Sequence, residues 1–268
     1  MQKELPFRSI TRRVERHRDR LEALGFLALI LIVASSLNLW LVWSDRRPPP
    51  WDYAGYLKAS VELYDALRLG SVAQLVTILD DPYRPPLVPL AALPFYAMFG
   101  ISYRSAMLAN LVFIAILVLS TYWLAKIVSD SHRSALVAAG IISTLPGVIA
   151  YGRVYGLDLP TAALVSTGLY LTVASQGFKI RSRSVALGVV VGLGMLTKWT
   201  YVVFVAPMIV VELLRYRRSV NPRNMILSGL VAAGVSSTWY VPAMQQDLMA
   251  KLIRASWGSG AQHYAPSG

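Results

Sequence analysis

An acid at position 52, an arginine at 84, a second acid at 158 and a lysine at 198 are the residues of this chain best suited to chemistry. Asp52 follows Pro48-Pro49-Pro50-Trp51. A carboxylate there can take a proton from an acceptor hydroxyl as a general base, or it can cap the helix expected after it. Arg84 stands in Tyr83-Arg84-Pro85-Pro86. Its guanidinium offers a fork of N–H donors to a phosphate, or it anchors the chain at a lipid boundary. Asp158 opens Asp158-Leu159-Pro160, a pattern that also suits the start of a helix, and Arg153 lies in the same loop. Lys198 interrupts an apolar stretch from Leu193 to Val205. An ionisable residue in such a setting is costly and points to function; a tight charged turn is the plainer reading.

The elements that must hold these side chains are membrane helices. Hydrophobic residues make up 55% of the chain and charged residues 15%, with mean hydropathy +0.50. Apolar runs of about 20 residues recur, enough to cross a hydrocarbon layer of ~30 Å. In a soluble chain a net charge of +12 would suggest nucleic acid. In a membrane protein it reads instead as basic loops kept on the cytoplasmic side, and no nucleic-acid partner is expected. There are no cysteines, and His17, His132 and His263 are isolated, so neither disulfides nor a histidine metal cluster is expected. Walker and dinucleotide glycine motifs are missing as well.

The first run, Ala23 to Trp43, follows a basic segment and lacks a cleavage site, which predicts a signal anchor with its N-terminus inside. Further spans are expected over Arg104–Ile127, Ala135–Tyr151, Pro160–Gln176, Met225–Val241, and two short ones within Val185–Leu214 hinged near Lys198. With Arg133, Lys179 to Arg183 and Arg215 to Arg223 inside, seven spans alternate consistently. Asp52, Arg84, Arg153, Asp158 and Lys198 then all face outward. The outer loop from Ser44 to Tyr103 carries five Lys/Arg against six Asp/Glu, without the basic bias of the inner loops.

Within that loop, Tyr53 to Leu69 has the pattern of an amphipathic interfacial helix. Pro86 to Gly100 is apolar but only fifteen residues long, which suits a juxtamembrane or re-entrant element. The expected fold is thus all-α and integral to the membrane. Residues 1–22 form a basic cytoplasmic tail, 23–245 the transmembrane module with its outer loop 44–103, and 246–268 an extracytoplasmic segment. Gly188 and Gly192 have the Gly-xxx-Gly spacing of closely packed helices.

The order of these signals resembles the GT-C superfamily of membrane glycosyltransferases, above all the branch of protein O-mannosyltransferases and the lipid A aminoarabinose transferase. The likeness covers about residues 20 to 245. It rests on Asp52 after the first span, Arg84 with Pro85-Pro86, Leu157-Asp158-Leu159-Pro160, and the Gly-rich run ending Leu196-Thr197-Lys198. The resemblance implies transfer of a sugar from a polyprenyl-phosphate carrier to a lipid, glycan or protein acceptor on the extracytoplasmic face of a bacterial or archaeal plasma membrane. It implies Asp52 and Asp158 as the catalytic acids, and Arg84 and Lys198 as contacts near the carrier phosphate; Arg153 and Tyr83, beside them in the chain, are expected as further substrate contacts.

Two departures qualify the likeness. The family often has Asp-Glu at the first site, whereas here Tyr53 follows Asp52, which weakens the case for a divalent metal; no cofactor is expected. Members also usually continue through more spans, so a fragment or a reduced paralogue is expected. A transporter or flippase-like carrier-binding protein and a non-catalytic scaffold are the competing classes. Transporters place charged sites near the midplane between repeated halves, whereas here the charges gather on one face.

Overall fold

The computed structural model describes residues 6–45, 51–72, 74–75 and 85–245, and among them every regular element is a helix. In chain order these are α1 (Pro6–Ser44), α2 (Trp51–Arg68), α3 (Leu87–Phe99), α4 (Tyr103–Ser129) and α5 (His132–Thr144). Then come α6 (Pro146–Gly152), α7 (Asp158–Ala174), α8 (Arg181–Met195), α9 (Tyr201–Arg215) and α10 (Pro222–Gln245). The expected C-terminal segment from 246 onward, together with Tyr83 and Arg84, falls outside the described residues.

Helix boundaries follow local chemistry. Ser102 caps α4, its hydroxyl accepting from the Ser105 backbone N–H at 3.0 Å, and Ser131 caps α5 in the same way. Between α4 and α5 the backbone turns at Asp130, in the left-handed region (φ 50°), with its carboxylate 2.9 Å from Lys126. Pro146 ends α5 and begins α6, because it cannot donate to the preceding turn and disfavours helical geometry at Leu145. The two pieces meet at 54° and together are apolar enough for one broken span.

Among the described residues three helical stretches, Arg18–Ser44, Tyr103–Ser129 and Pro222–Pro242, are long and apolar enough to cross a membrane, and four if the bent pair counts as one. Helices α7, α8 and α9 stand where further spans are expected, but they have 17, 15 and 15 residues. At 1.5 Å per residue the shorter two extend only about 23 Å. The apolar segment expected as a juxtamembrane or re-entrant element is the single 13-residue helix α3. Helix α1 begins at Pro6, so the basic stretch before residue 23 continues the first helix without a break.

Helix α4 is the hub, packing on α1, α3, α5 and α7; α8 lies between α7 and α10. One buried cluster joins α1, α4, α5 and α7 through Leu27, Phe113, Leu117, Tyr122, Ala139 and Leu159. A second joins the end of α1 to α3 and α4 through Val42, Val88, Tyr96 and Met107, and takes in Tyr155. The expected close approach at Gly188 and Gly192 is present. A Cβ at Gly188 would lie 2.4 Å from the Ser228 carbonyl oxygen, and one at Gly192 would lie 2.5 Å from Val235. The bundle's outside is apolar: Ile32, Val203 and Leu230 are each more than 60% exposed. Lipid tails, not water, suit such a surface.

Candidate functional site

The loop from Arg153 to Leu157 must leave α6 and deliver Asp158 to the start of α7. Three side chains fasten it. Asn110 of α4 donates through Nδ2 to the carbonyls of Gly152 (2.8 Å) and Val154 (2.9 Å). Tyr155, fully buried, donates its hydroxyl to the Val88 carbonyl of α3 at 2.6 Å. Tyr103 donates to the Arg153 carbonyl at 3.5 Å. The Asn110 bonds satisfy buried carbonyls that would otherwise be costly, and the loop is held on two helices. Arg153 itself is half-buried at the end of α6.

Asp158 is the first residue of α7 and not its cap; Leu157 holds the cap position and forms no side-chain cap bond. The carboxylate is directed to another element. Lys198 Nζ lies 3.4 Å from Asp158 Oδ1, and the two side chains are 39% and 40% exposed. An ion pair so open to its surroundings contributes at most about 1 kcal/mol to folding, so stability is a poor reason for it. Lys198 occupies the turn between α8 and α9, held by its own N–H on the Gly194 carbonyl and by Tyr201 N–H on the Lys198 carbonyl.

The same turn receives the Pro85-Pro86 part of the Tyr83-Arg84-Pro85-Pro86 motif. Pro85 and Pro86 are buried, and Leu87 N–H donates to the Leu196 carbonyl at 3.2 Å. Leu87, at the start of α3, is thereby tied to a carbonyl two residues before Lys198.

Asp52 lies exposed in the first turn of α2, inside the helix and not before it. Its neighbour Tyr53 crosses to the Asp158 loop, where a Cβ at Gly156 would meet the Tyr53 ring at 2.4 Å. Only glycine permits this contact. Burial raises the pKa of the Tyr53 phenol, and so, in decreasing order, do Asp158, Tyr151 and Asp52. Both carboxylates thus act on one phenol. The fold thereby brings Asp158, over a hundred positions away in the chain, near the same phenol as Asp52. Among the described residues no three His, Cys, Asp or Glu side chains converge, so no ready-made cage for a divalent ion is present there.

From the Asp158–Lys198 pair a groove of about 410 Å³ runs along one face of α7. Thr161, Ala162, Val165, Ser166 and Leu169 follow Asp158 at helical spacing, a stripe about 16 Å long at 1.5 Å per residue. Leu117 of α4, Ile142 of α5 and Phe204 of α9 face it. The hydroxyl of Ser166 is paired with Ser120 (2.8 Å) and Thr121 (3.1 Å), so even its polar atoms are largely satisfied. A charged head on an apolar trough is the chemistry of a lipid with an anionic headgroup.

The family described as dolichyl-phosphate-mannose-protein mannosyltransferase matches residues 83–241, more than half of the chain. The chain belongs to that family. Membership in this mannosyltransferase family supports a GT-C-type membrane glycosyltransferase. No curated protein and no solved structure matches the chain. The family match includes Arg84, Arg153, Asp158 and Lys198, and stops short of α1 and α2 with Asp52. Sequence reasoning missed the packing of Tyr53 on Gly156, which brings its phenol under the influence of both acids, and it missed the groove. The groove had a readable trace: small and apolar residues recur at helical spacing after Asp158.

Proposed function

We propose that the protein transfers a sugar from a polyprenyl phosphate to an acceptor hydroxyl on the extracytoplasmic face, by single displacement with inversion. The observation that carries this reading is the Asp158–Lys198 pair at the head of the apolar groove. In this scheme the isoprenoid tail lies along α7 and its phosphate meets Lys198 and Arg84, with Arg153 and Tyr83 at the rim. Asp52 takes the acceptor proton as the acceptor oxygen bonds to the anomeric carbon. The bond from that carbon to the phosphate oxygen breaks, and the phosphate leaves with its lipid. Charge building on that oxygen is met by Lys198 and Arg84, which stabilise the transition state more than the ground state. Asp158 holds the ammonium until the phosphate arrives, and it lends Tyr53 a second acidic neighbour.

The groove is tested by filling it. Ala162 is exposed on the groove face of α7. Ala162→Trp is expected to lower affinity for a long-chain polyprenyl phosphate at least tenfold, while a carrier of one or two isoprene units binds as before. Binding assays on the purified chain decide it: equal affinity of the variant for the long carrier would place the tail elsewhere.

The proposed orientation has seven crossings, with the basic loops and residues 1–22 inside and residues 44–103 and 246–268 outside. The chain has no native cysteine, so single cysteines report sidedness directly. Cysteines at Ser44 or Gln262 should react with an impermeant thiol reagent in intact cells, and one at Ser182 should not. Labelling at Ser182 would reverse the orientation.

A further inference from the structure

Asp158 and Ala174 mark the two ends of α7, about 24 Å apart at 1.5 Å per residue. At the Ala174 end a second cavity, of about 480 Å³, opens where the last turns of α4, α7 and α9 meet the start of α8. Two arginines line it, Arg183 and Arg215, and among the described residues no carboxylate does. Both guanidiniums are set against aromatic rings. Arg183 donates to the Tyr170 hydroxyl and lies 5.6 Å from that ring's centroid, and Arg215 lies 5.7 Å from the centroid of Tyr216. Stacking of this kind pre-orders an arginine and leaves other N–H donors free for a planar or tetrahedral anion. Neither forms an ion pair with a described residue. Glu212, one turn before Arg215 on α9, is buried at 1% exposure and accepts from the Gly177 backbone.

The remaining wall is of two kinds. Ile127, Val128, Val173 and Ile180 make it apolar on one side. On the other, Gln176 lines it from a turn in which Gln176, Gly177 and Phe178 all have left-handed backbone (φ 52°, 69° and 63°). Left-handed geometry is unfavourable for Gln and Phe. Asn224 holds the turn in place, its Nδ2 donating to the Phe178 carbonyl at 2.8 Å, and Asn221 N–H donates to the Gly177 carbonyl at 3.1 Å. Lys179, Arg181, Arg217 and Arg218 lie close by in the chain, which is the charge pattern of a cytoplasmic loop region.

We infer that this cavity binds the phosphate of an anionic phospholipid, in the leaflet opposite to the Asp158–Lys198 pair. Two guanidiniums supply the charge for a phosphodiester: neither is in a direct ion pair, and Arg215 feels the buried Glu212 carboxylate only electrostatically; the apolar wall receives the upper part of the acyl chains. A soluble anion would use the first feature and have no use for the second. The inference stands on this cavity alone and does not depend on which reaction occurs at the other end of α7.

The test uses the full chain in neutral detergent, titrated with short-chain phosphatidylglycerol, and native mass spectrometry to count bound lipid. One saturable molecule is expected, displaced neither by short-chain phosphatidylcholine nor by inorganic phosphate at the same concentration. Arg183→Ala and Arg215→Ala should each weaken binding on the order of tenfold, the usual range for loss of a charge-assisted contact. Arg183→Lys should retain part of the affinity, since charge survives without the fork; it also keeps the test valid if an alanine variant fails to fold. Arg181→Ala and Arg223→Ala remove equal charge from exposed positions that do not line the cavity, and should leave binding unchanged. An equal loss in those two variants would reduce the effect to diffuse surface charge and overturn the site. Inorganic phosphate competing as well as the lipid would make it a free-anion site, and full binding by both cavity alanine variants would also overturn it.

Discussion

Asp52→Asn is expected to lower sugar transfer by about 10²- to 10⁴-fold, the usual contribution of a positioned general base, while leaving carrier binding within about twofold. The amide matches the carboxylate in size, and position 52 is exposed, so packing is undisturbed. Loss of a negative charge in the first turn of α2 costs about 0.3–1 kcal/mol at most, too little to unfold the chain. Folding and catalysis are therefore separable at this residue. A variant with normal turnover and slightly lower thermal stability would leave Asp52 as a charge complementing the N-terminus of α2, and no more.

The second large effect lies at Lys198 and Asp158, and it has a characteristic split. Lys198→Ala removes one charge-assisted contact to phosphate, worth about 1.5–3 kcal/mol, and so should weaken binding of a short-chain polyprenyl phosphate on the order of ten- to a hundredfold. Asp158→Asn should act in the opposite sense on binding. It frees the ammonium that the carboxylate holds at 3.4 Å, so affinity for the free carrier holds or rises while transfer falls. The double variant should bind like Lys198→Ala alone, because the two residues share one interaction and their effects do not add. Arg84→Ala is expected to resemble Lys198→Ala, with Arg84→Lys milder because the charge survives. Unchanged carrier affinity in both alanine variants would make Lys198 and Arg84 interface anchors.

The helices were largely legible in the sequence because their causes are local. The break around Lys198 falls where it is expected, whereas the expected span Ala135–Tyr151 is split at Pro146, a local stop that an apolar run alone does not show. Of the site, the residue types and their order could be read, but not their partners. Asp158 looked like a helix cap because Asp and Pro near a helix start usually mean capping; its ion pair with Lys198 joins residues forty positions apart, and no periodicity records that. Tyr53 looked like a loss, a phenol where a second acid was expected. Its packing on Gly156, which brings it under the influence of Asp158, depends on how α2 lies against the loop before α7. Helices α7 to α9 show the reverse limit: hydropathy finds them, while their length depends on how turns such as Gly194–Tyr201 close.

The most direct measurement follows a labelled sugar. The full chain, reconstituted in proteoliposomes, is given a polyprenyl phosphate carrying a labelled sugar, together with membranes of its source organism as acceptor. Carrier and product are separated, and the anomeric configuration of the product is determined. The account predicts that label leaves the carrier, free polyprenyl phosphate accumulates, and the new linkage has the inverted configuration, all lost in Asp52→Asn. Label that binds or crosses the bilayer while still attached to its lipid, with no free polyprenyl phosphate formed, would contradict it.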